Sequence, residues 1–230
     1  MGKRKLGQFE ELNTFDNVLQ PSLEEVIDND YSLKGKWATG HFKNSKPIIL
    51  ELGCGKGEYT VGLAGLFPGK NFIGIDIKGA RIWSGARQAL NEKINNVVFI
   101  RTRIEFINSV FAKDEVDEIW LTFPDPQLKS RRVKKRLTAS KFLNSYRKIM
   151  KDGGIIHLKT DNAVLYQYTL DLIKKNELPL LFATENLHGS EMSDVVYGIR
   201  TYYEMKFIEK ELPIHYLKFE LPSDKIIKEP

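Results

Sequence analysis

From residue 48 onward, short runs rich in β-branched residues alternate with longer amphipathic runs, the pattern of a mostly parallel sheet covered by helices. The spacing predicts strands over 48–52, 71–76, 96–101, 118–122 and 154–159. Between them it predicts helices over 57–66, 79–90, 103–111, 138–150 and 162–175. Beyond residue 180, LFATENL, YYEMKFIEK and IHYLKFEL read as further strands. The last two, separated only by ELP, are expected to pair as an antiparallel hairpin at the sheet edge.

The 230 residues are 42% hydrophobic and 28% charged, enough apolar material for one sizeable core. Residues 47–221 carry the alternating pattern and are expected to form the main domain, followed by a tail over 222–230. Residues 1–46 carry no clear period; with Lys3, Arg4 and Lys5 near the front they read as an arm that is mobile at its start. The single cysteine, Cys54, excludes an internal disulfide framework and a CxxC metal cradle, and points to the reducing cytoplasm. No apolar stretch follows the charged MGKRKLGQFE start, and no run approaches the roughly 20 apolar residues of a membrane span. Leu6 stands where a myristoylation signal wants Ser or Thr, so no membrane partner is expected.

Where the first strand ends, Glu51-Leu52-Gly53-Cys54-Gly55-Lys56-Gly57 leads straight into a helix pattern. Such a turn lets a ligand lie against backbone N–H groups where a Cβ would collide. Nineteen residues after Gly57 stands Asp76, at the tip of the second strand, where an acid can accept from both hydroxyls of a ribose. GxGxG differs by one residue from the dinucleotide fingerprint GxGxxG, which weakens a pyrophosphate-binding reading. A Walker A loop needs GxxxxGK[ST], and its nearest approach, Ala64 to Asn71, has Ala first and Asn last. What remains is the E-x-G-x-G-x-G loop of S-adenosylmethionine enzymes, with Glu51 near the cationic methionine part. A ligand-free tight turn would also explain three close glycines, but it would not require Asp76.

EIWLTF stops at Pro124-Asp125-Pro126, a stiff turn at the carboxyl end of what the pattern makes the fourth strand. Ligands of open α/β sheets bind beyond those ends, which is expected to set Asp125 beside the glycine loop. An ordinary Asp-Pro turn is the bland alternative. Directly downstream, Lys129, Arg131, Arg132, Lys134, Lys135, Arg136, Lys141, Arg147, Lys148 and Lys151 stand in 24 residues without one acid. The formal net charge is +5, so this +10 segment leaves −5 for the other 206 residues. A single-sign cluster of this kind is the footprint expected of a surface that lies against phosphates, with Arg131, Arg132, Lys134, Lys135 and Arg136 as the candidate contacts.

Taken in order, ELGCGKG, GIDIK, FPDP with its basic run, HLKTDN and RTYYEMKF resemble the bacterial tRNA (guanine-N7)-methyltransferases over about residues 47–221. The resemblance implies a Rossmann-like class I methyltransferase: a doubly wound, mostly parallel seven-stranded α/β sheet with an antiparallel edge hairpin and helices on both faces. It implies S-adenosyl-L-methionine bound by Glu51, Gly53, Gly55, Gly57 and Asp76, and Asp125 as the catalytic acid. Lys129 and Asp161 become substrate contacts, and Thr201, Tyr202, Tyr203 and Glu204 match the family's Thr-x-x-Glu element at the guanine pocket. The implied partner and substrate is tRNA, at the variable-loop guanine 46, with a monomer or a homodimer both compatible.

Three positions depart from the family pattern. Arg103, counted with the cofactor-binding residues by its position, stands where relatives have the acid that bonds the adenine amino group; Arg103 cannot accept that bond, so Glu105 or the backbone must do so. Gln127 replaces a Trp after PDP, and Arg132 replaces a His in the basic run. Asp161 could equally be the N-cap of the helix over 162–175. The four histidines, His41, His157, His188 and His215, show no metal-ligand spacing, and no metal is assigned.

Guanine N7 carries an in-plane lone pair and no proton, so no base is needed to create the nucleophile, and positioning dominates. Asp125 would orient the base and stabilise the positive charge that develops on it. A small-molecule methyltransferase or an aminopropyl transferase would share the loop and Asp76 without needing the basic segment. A ribosomal-RNA methyltransferase would share all three features. A non-catalytic RNA-binding protein would not use Glu51, Gly53 or Asp76.

Overall fold

The structure, a computed structural model, describes residues 3–190, 198–199, 204–206, 209–210 and 212–230. The chain divides into two compact units, Met1–Phe111 and Ala112–Pro230.

The first unit runs α1 (Lys3–Leu12), β1 (Val18–Leu19), α2 (Leu23–Val26), β2 (Ile48–Leu52), α3 (Glu58–Leu66), β3 (Asn71–Asp76), α4 (Gly79–Asn91), β4 (Val97–Arg101) and α5 (Ile107–Val110). Its strands lie in the order β1-β4-β3-β2, and its pairings are parallel. β2 is buried at every position, the near-continuous apolar run of a strand covered on both faces, and Glu51 is its one charged residue. α4 buries Ile82, Gly85, Ala86 and Ala89, at the spacing of one helical face.

The aperiodic first 46 residues contain ordered elements. Ser22 caps α2 in a reciprocal box: its side chain accepts from the Glu25 N–H, and the Glu25 carboxylate accepts from the Ser22 N–H. Trp37 is fully buried in a π-turn over Trp37–His41 and donates from Nε1 to the Val110 carbonyl at 2.9 Å. α1 rests on α4, where Trp83 Nε1 donates to the Glu11 carboxylate at 2.8 Å. These contacts join residues 72 and 73 positions apart, which no local period can reveal.

The second unit runs β5 (Val116–Thr122), α6 (Ser140–Tyr146), β6 (Met150–Thr160), α7 (Ala163–Lys175), β7 (Leu180–Thr184) and β8 (His215–Leu221), in the strand order β5-β6-β8-β7. β5 and β6 pair in parallel, and β8 runs antiparallel to both β6 and β7. This is the mostly parallel α/β class with an antiparallel edge that the sequence implies, with eight strands among the described residues rather than seven; the short β1 is the addition.

Three elements differ from expectation. Among the described residues of YYEMKFIEK, 204–206 are helical rather than a strand, and β8 lies between β6 and β7, so the antiparallel edge pair is β7 with β8. Of the rest of that run, 209–210 form a turn, and 202–203 and 207–208 lie outside the described residues. β6 starts at Met150 rather than 154, because Lys151-Asp152-Gly153-Gly154 is taken up in a register shift against β5, with Gly153 at φ 67°. The helix expected over 103–111 is a 3-10 turn at Ile104–Phe106 followed by the short α5, in keeping with a segment rich in Ile, Phe and Val.

Residues 222–230 are pinned to α6 and α7. Asn144 bonds both the N–H and the carbonyl of Ile227, and Asn176 does the same for Lys228. Among the described residues no helix is long and apolar enough to cross a membrane.

Candidate functional site

In the first unit the glycine loop closes the carboxyl end of β2. Gly53, Gly55 and Gly57 all have positive φ, at 77°, 57° and 73°, a path that L side chains rarely follow. Gly53 and Cys54 donate their N–H groups to the Ile75 carbonyl, binding the loop to the end of β3. Asp76 sits at that same end: its Oδ2 accepts from Gly55 N at 3.0 Å and its Oδ1 from Lys78 N at 2.8 Å. Each carboxylate oxygen has two acceptor sites, so one remains on each for a diol.

Glu51 is buried, and its carboxylate accepts from the Thr60 hydroxyl of α3. Thr60 is itself buried and escapes a sequence reading, because one hydroxyl on an apolar helix carries no pattern. Burial, Glu51 and Asp76 push the Cys54 thiol up, so it stays neutral. Arg103 and Glu105 are exposed at the mouth of the 3-10 turn after β4.

In the second unit β5 continues through Phe123, whose N–H donates to the Lys159 carbonyl at 2.7 Å, into Pro124-Asp125-Pro126. Asp125 is exposed, and its Oδ1 accepts from Gln127 N at 3.0 Å. At the end of β6, Lys159 is fully buried; its Nζ lies 2.7 Å from Glu204 Oε1 and 2.9 Å from Oε2. The same ammonium stands 5.9 Å from the centroid of the Phe123 ring. Lys159 thus connects the stem of the Asp125 turn with the Glu204 segment, a link that sequence reasoning missed. Its trace in the sequence was a lysine directly after the apolar Ile155-Ile156 and Leu158 positions of a strand expected to be covered.

Asp161 is exposed and is not the cap of α7. Asn162 is the N-cap, its side chain accepting from Leu165 N at 3.0 Å. Burial holds the His215 imidazole below its usual range, opposed by the charges of Glu185 and Asp161. Lys129, Arg131, Arg132, Lys134 and Lys135 are exposed on and beside a 3-10 helix at Ser130–Lys135. Arg136 is not: it is 5% exposed and turned inward. Thr201, Tyr202 and Tyr203 lie outside the described residues.

A family described as "Putative methyltransferase" matches residues 45–217. A tRNA (guanine-N(7)-)-methyltransferase of Christiangramia forsetii is 53% identical over 95% of this chain and 98% of its own. Proteins of the same name from Bacteroides fragilis and Bacillus subtilis are 48% and 35% identical, over 100% and 89% of this chain and 90% and 94% of theirs. The chain belongs to the tRNA (guanine-N7)-methyltransferase family.

Among solved structures, a 30S ribosomal A1408 methyltransferase from an uncultured bacterium aligns with a TM-score of 0.56 at 21% identity, over 78% of this chain and 90% of that one. The 16S rRNA methyltransferase KamB aligns with a TM-score of 0.58 at 12% identity, over 77% and 88%. Both share the methyltransferase fold.

For a methyltransferase of this family the glycine loop makes a sharp prediction. A Cβ on Gly57 would stand 2.5 Å from the Phe99 ring, whereas one on Gly55 meets nothing nearer than 3.9 Å. Gly57→Ala therefore loses about 2–4 kcal/mol of stability from overpacking plus strained φ. Gly55→Ala loses only about 1–2 kcal/mol, because its methyl enters open space above the loop; if the proposed cofactor lies there, its binding is expected to weaken at least about tenfold. Denaturant titration and calorimetry separate the two; equal stability losses would refute the packing argument.

Proposed function

We propose that this chain catalyses S-adenosylmethionine-dependent methylation of guanine N7 in tRNA, at the variable-loop guanine 46, in the cytoplasm. Family membership over nearly the whole chain is the observation that supports this reading most strongly.

The first unit's residues fit the nucleoside. The space over Gly55 is open, and Asp76 keeps an acceptor site on each oxygen for the ribose hydroxyls. Glu51, held by Thr60, supplies negative charge for the cationic methionine end. Bound there, S-adenosylmethionine supplies an electrophilic sulfonium methyl. Asp125 accepts from the N1–H or amino group of guanine and so orients the base, and its charge offsets the positive charge that N7 alkylation leaves on the ring. Lys129 and Asp161 contact the substrate, and Glu204, braced by Lys159, supports the segment that carries Thr201, Tyr202 and Tyr203. The exposed cations Arg131, Arg132, Lys134 and Lys135 hold phosphates.

Incubation with labelled S-adenosylmethionine and unmodified tRNA, followed by mapping of the labelled base, tests the reading. Label at guanine N7 of position 46 is expected, and label elsewhere overturns it. With Lys129 and these four exposed cations engaged, tRNA binding weakens about 10²–10³-fold between 50 and 200 mM salt. A small-molecule methyltransferase has no such dependence.

A further inference from the structure

The turn that carries Asp125 is conformationally costly. It is entered through Phe123 at φ 47° and left through Gln127 at φ 47°. Each non-glycine residue in that region costs about 1 kcal/mol or more, so the turn keeps its shape only if the surroundings fix both sides. On the entry side the Phe123 N–H is bonded to β6. On the exit side Arg136 Nε donates to the Pro126 carbonyl at 2.9 Å.

Arg136 is the last of the cations clustered at 129–136, yet it differs in kind from its neighbours. It is 5% exposed, and its guanidinium lies 4.4 Å from the centroid of the Tyr168 ring. The Tyr168 hydroxyl donates to Glu229 Oε2, and Glu229 Oε1 accepts from Ser140 N at 3.1 Å and Ser140 Oγ at 2.7 Å. Burial and Glu229 hold the Tyr168 hydroxyl well above its usual range, so it remains a donor. The tail is fixed in turn by Asn144 and Asn176.

We propose that Arg136 is a positioning residue for the Pro124-Asp125-Pro126 turn, locked by Tyr168 and the tail residue Glu229, and is not an RNA phosphate contact. The inference rests on the functional reading above. It asks for arginine specifically: a planar group can stack on Tyr168 while its Nε bonds the carbonyl, and an ammonium on a flexible stem cannot reproduce both.

The test uses the full chain, with unmodified tRNA and S-adenosylmethionine, in the wild type, Arg136→Lys and Glu229→Ala. Arg136→Lys is expected to lower kcat at least about tenfold, as misplacement of a reacting group does. The KM for tRNA and its salt dependence should stay unchanged. Glu229→Ala is expected to lower kcat in the same direction by a smaller factor. Wild-type kcat in Arg136→Lys overturns the proposal, and so does a change confined to a higher KM with a shallower salt slope. If thermal melting shows that Arg136→Lys is unfolded, Glu229→Ala decides, and an unchanged kcat there overturns it. A wild type that transfers no methyl to tRNA overturns the functional reading and this inference with it.

Discussion

With the role proposed for Asp125, Asp125→Asn is expected to lower kcat for tRNA methylation by about 10²–10³-fold, the usual consequence of removing one electrostatic group aimed at developing charge. The change is nearly isosteric. Asn keeps a carbonyl oxygen for the Gln127 N–H, so the turn holds its shape while the charge is lost. Methyl transfer moves positive charge onto the purine ring, and a carboxylate beside the ring is worth more in that state than before it. S-adenosylmethionine affinity, which the proposed function assigns to residues of the first unit, should change by no more than about twofold, which would mark the loss as one of transition-state stabilisation. Single-turnover rates at saturating tRNA with calorimetry of the cofactor check both halves. Full activity in Asp125→Asn would sink the electrostatic and orienting roles together.

Lys159→Met destabilises the protein by about 3–5 kcal/mol, because it leaves the Glu204 carboxylate buried without its cation. Both side chains are fully buried, so water cannot take the place of the missing partner. The pair itself is not a large net source of stability, since desolvation of two ions offsets most of their attraction. Lys159→Met combined with Glu204→Gln removes the orphaned charge and should recover more than half of the loss. Urea titration of the two variants measures this directly. A single-variant loss below about 1 kcal/mol would show that the Glu204 segment is anchored by something other than the pair.

The legibility of the site in the sequence followed the range of the interaction. β2, β3 and the Gly53–Gly57 loop could be read with their boundaries, because a buried strand must be apolar throughout and a left-handed path demands glycine. The direction of the chain at Asp125 was legible because proline fixes φ. The roles of Asn162 and Arg136 were not. Asp161 and Asn162 are both good caps, and only the geometry at Leu165 chooses between them. Arg136 reads as one more cation in a basic run, and burial depends on α7 and the tail, which come later in the chain. The 204–206 segment failed as a strand for the same reason: Glu204 turns toward Lys159, 45 residues earlier.

By itself the sequence determined the α/β class, the glycine loop with its acid at β3, the proline-framed carboxylate and the concentration of positive charge behind it. Those features are set by local rules: periodicity, the conformational range of glycine and proline, and the position of charge along the chain. The tertiary structure alone decided that β8 lies between β6 and β7, that Lys159 is buried against Glu204, and that one arginine of the basic run faces inward. Each of these is a choice of partner across 30 or more residues of chain, Arg136 with Tyr168 among them, and such a choice is made by burial and desolvation, which exist only once the chain has folded.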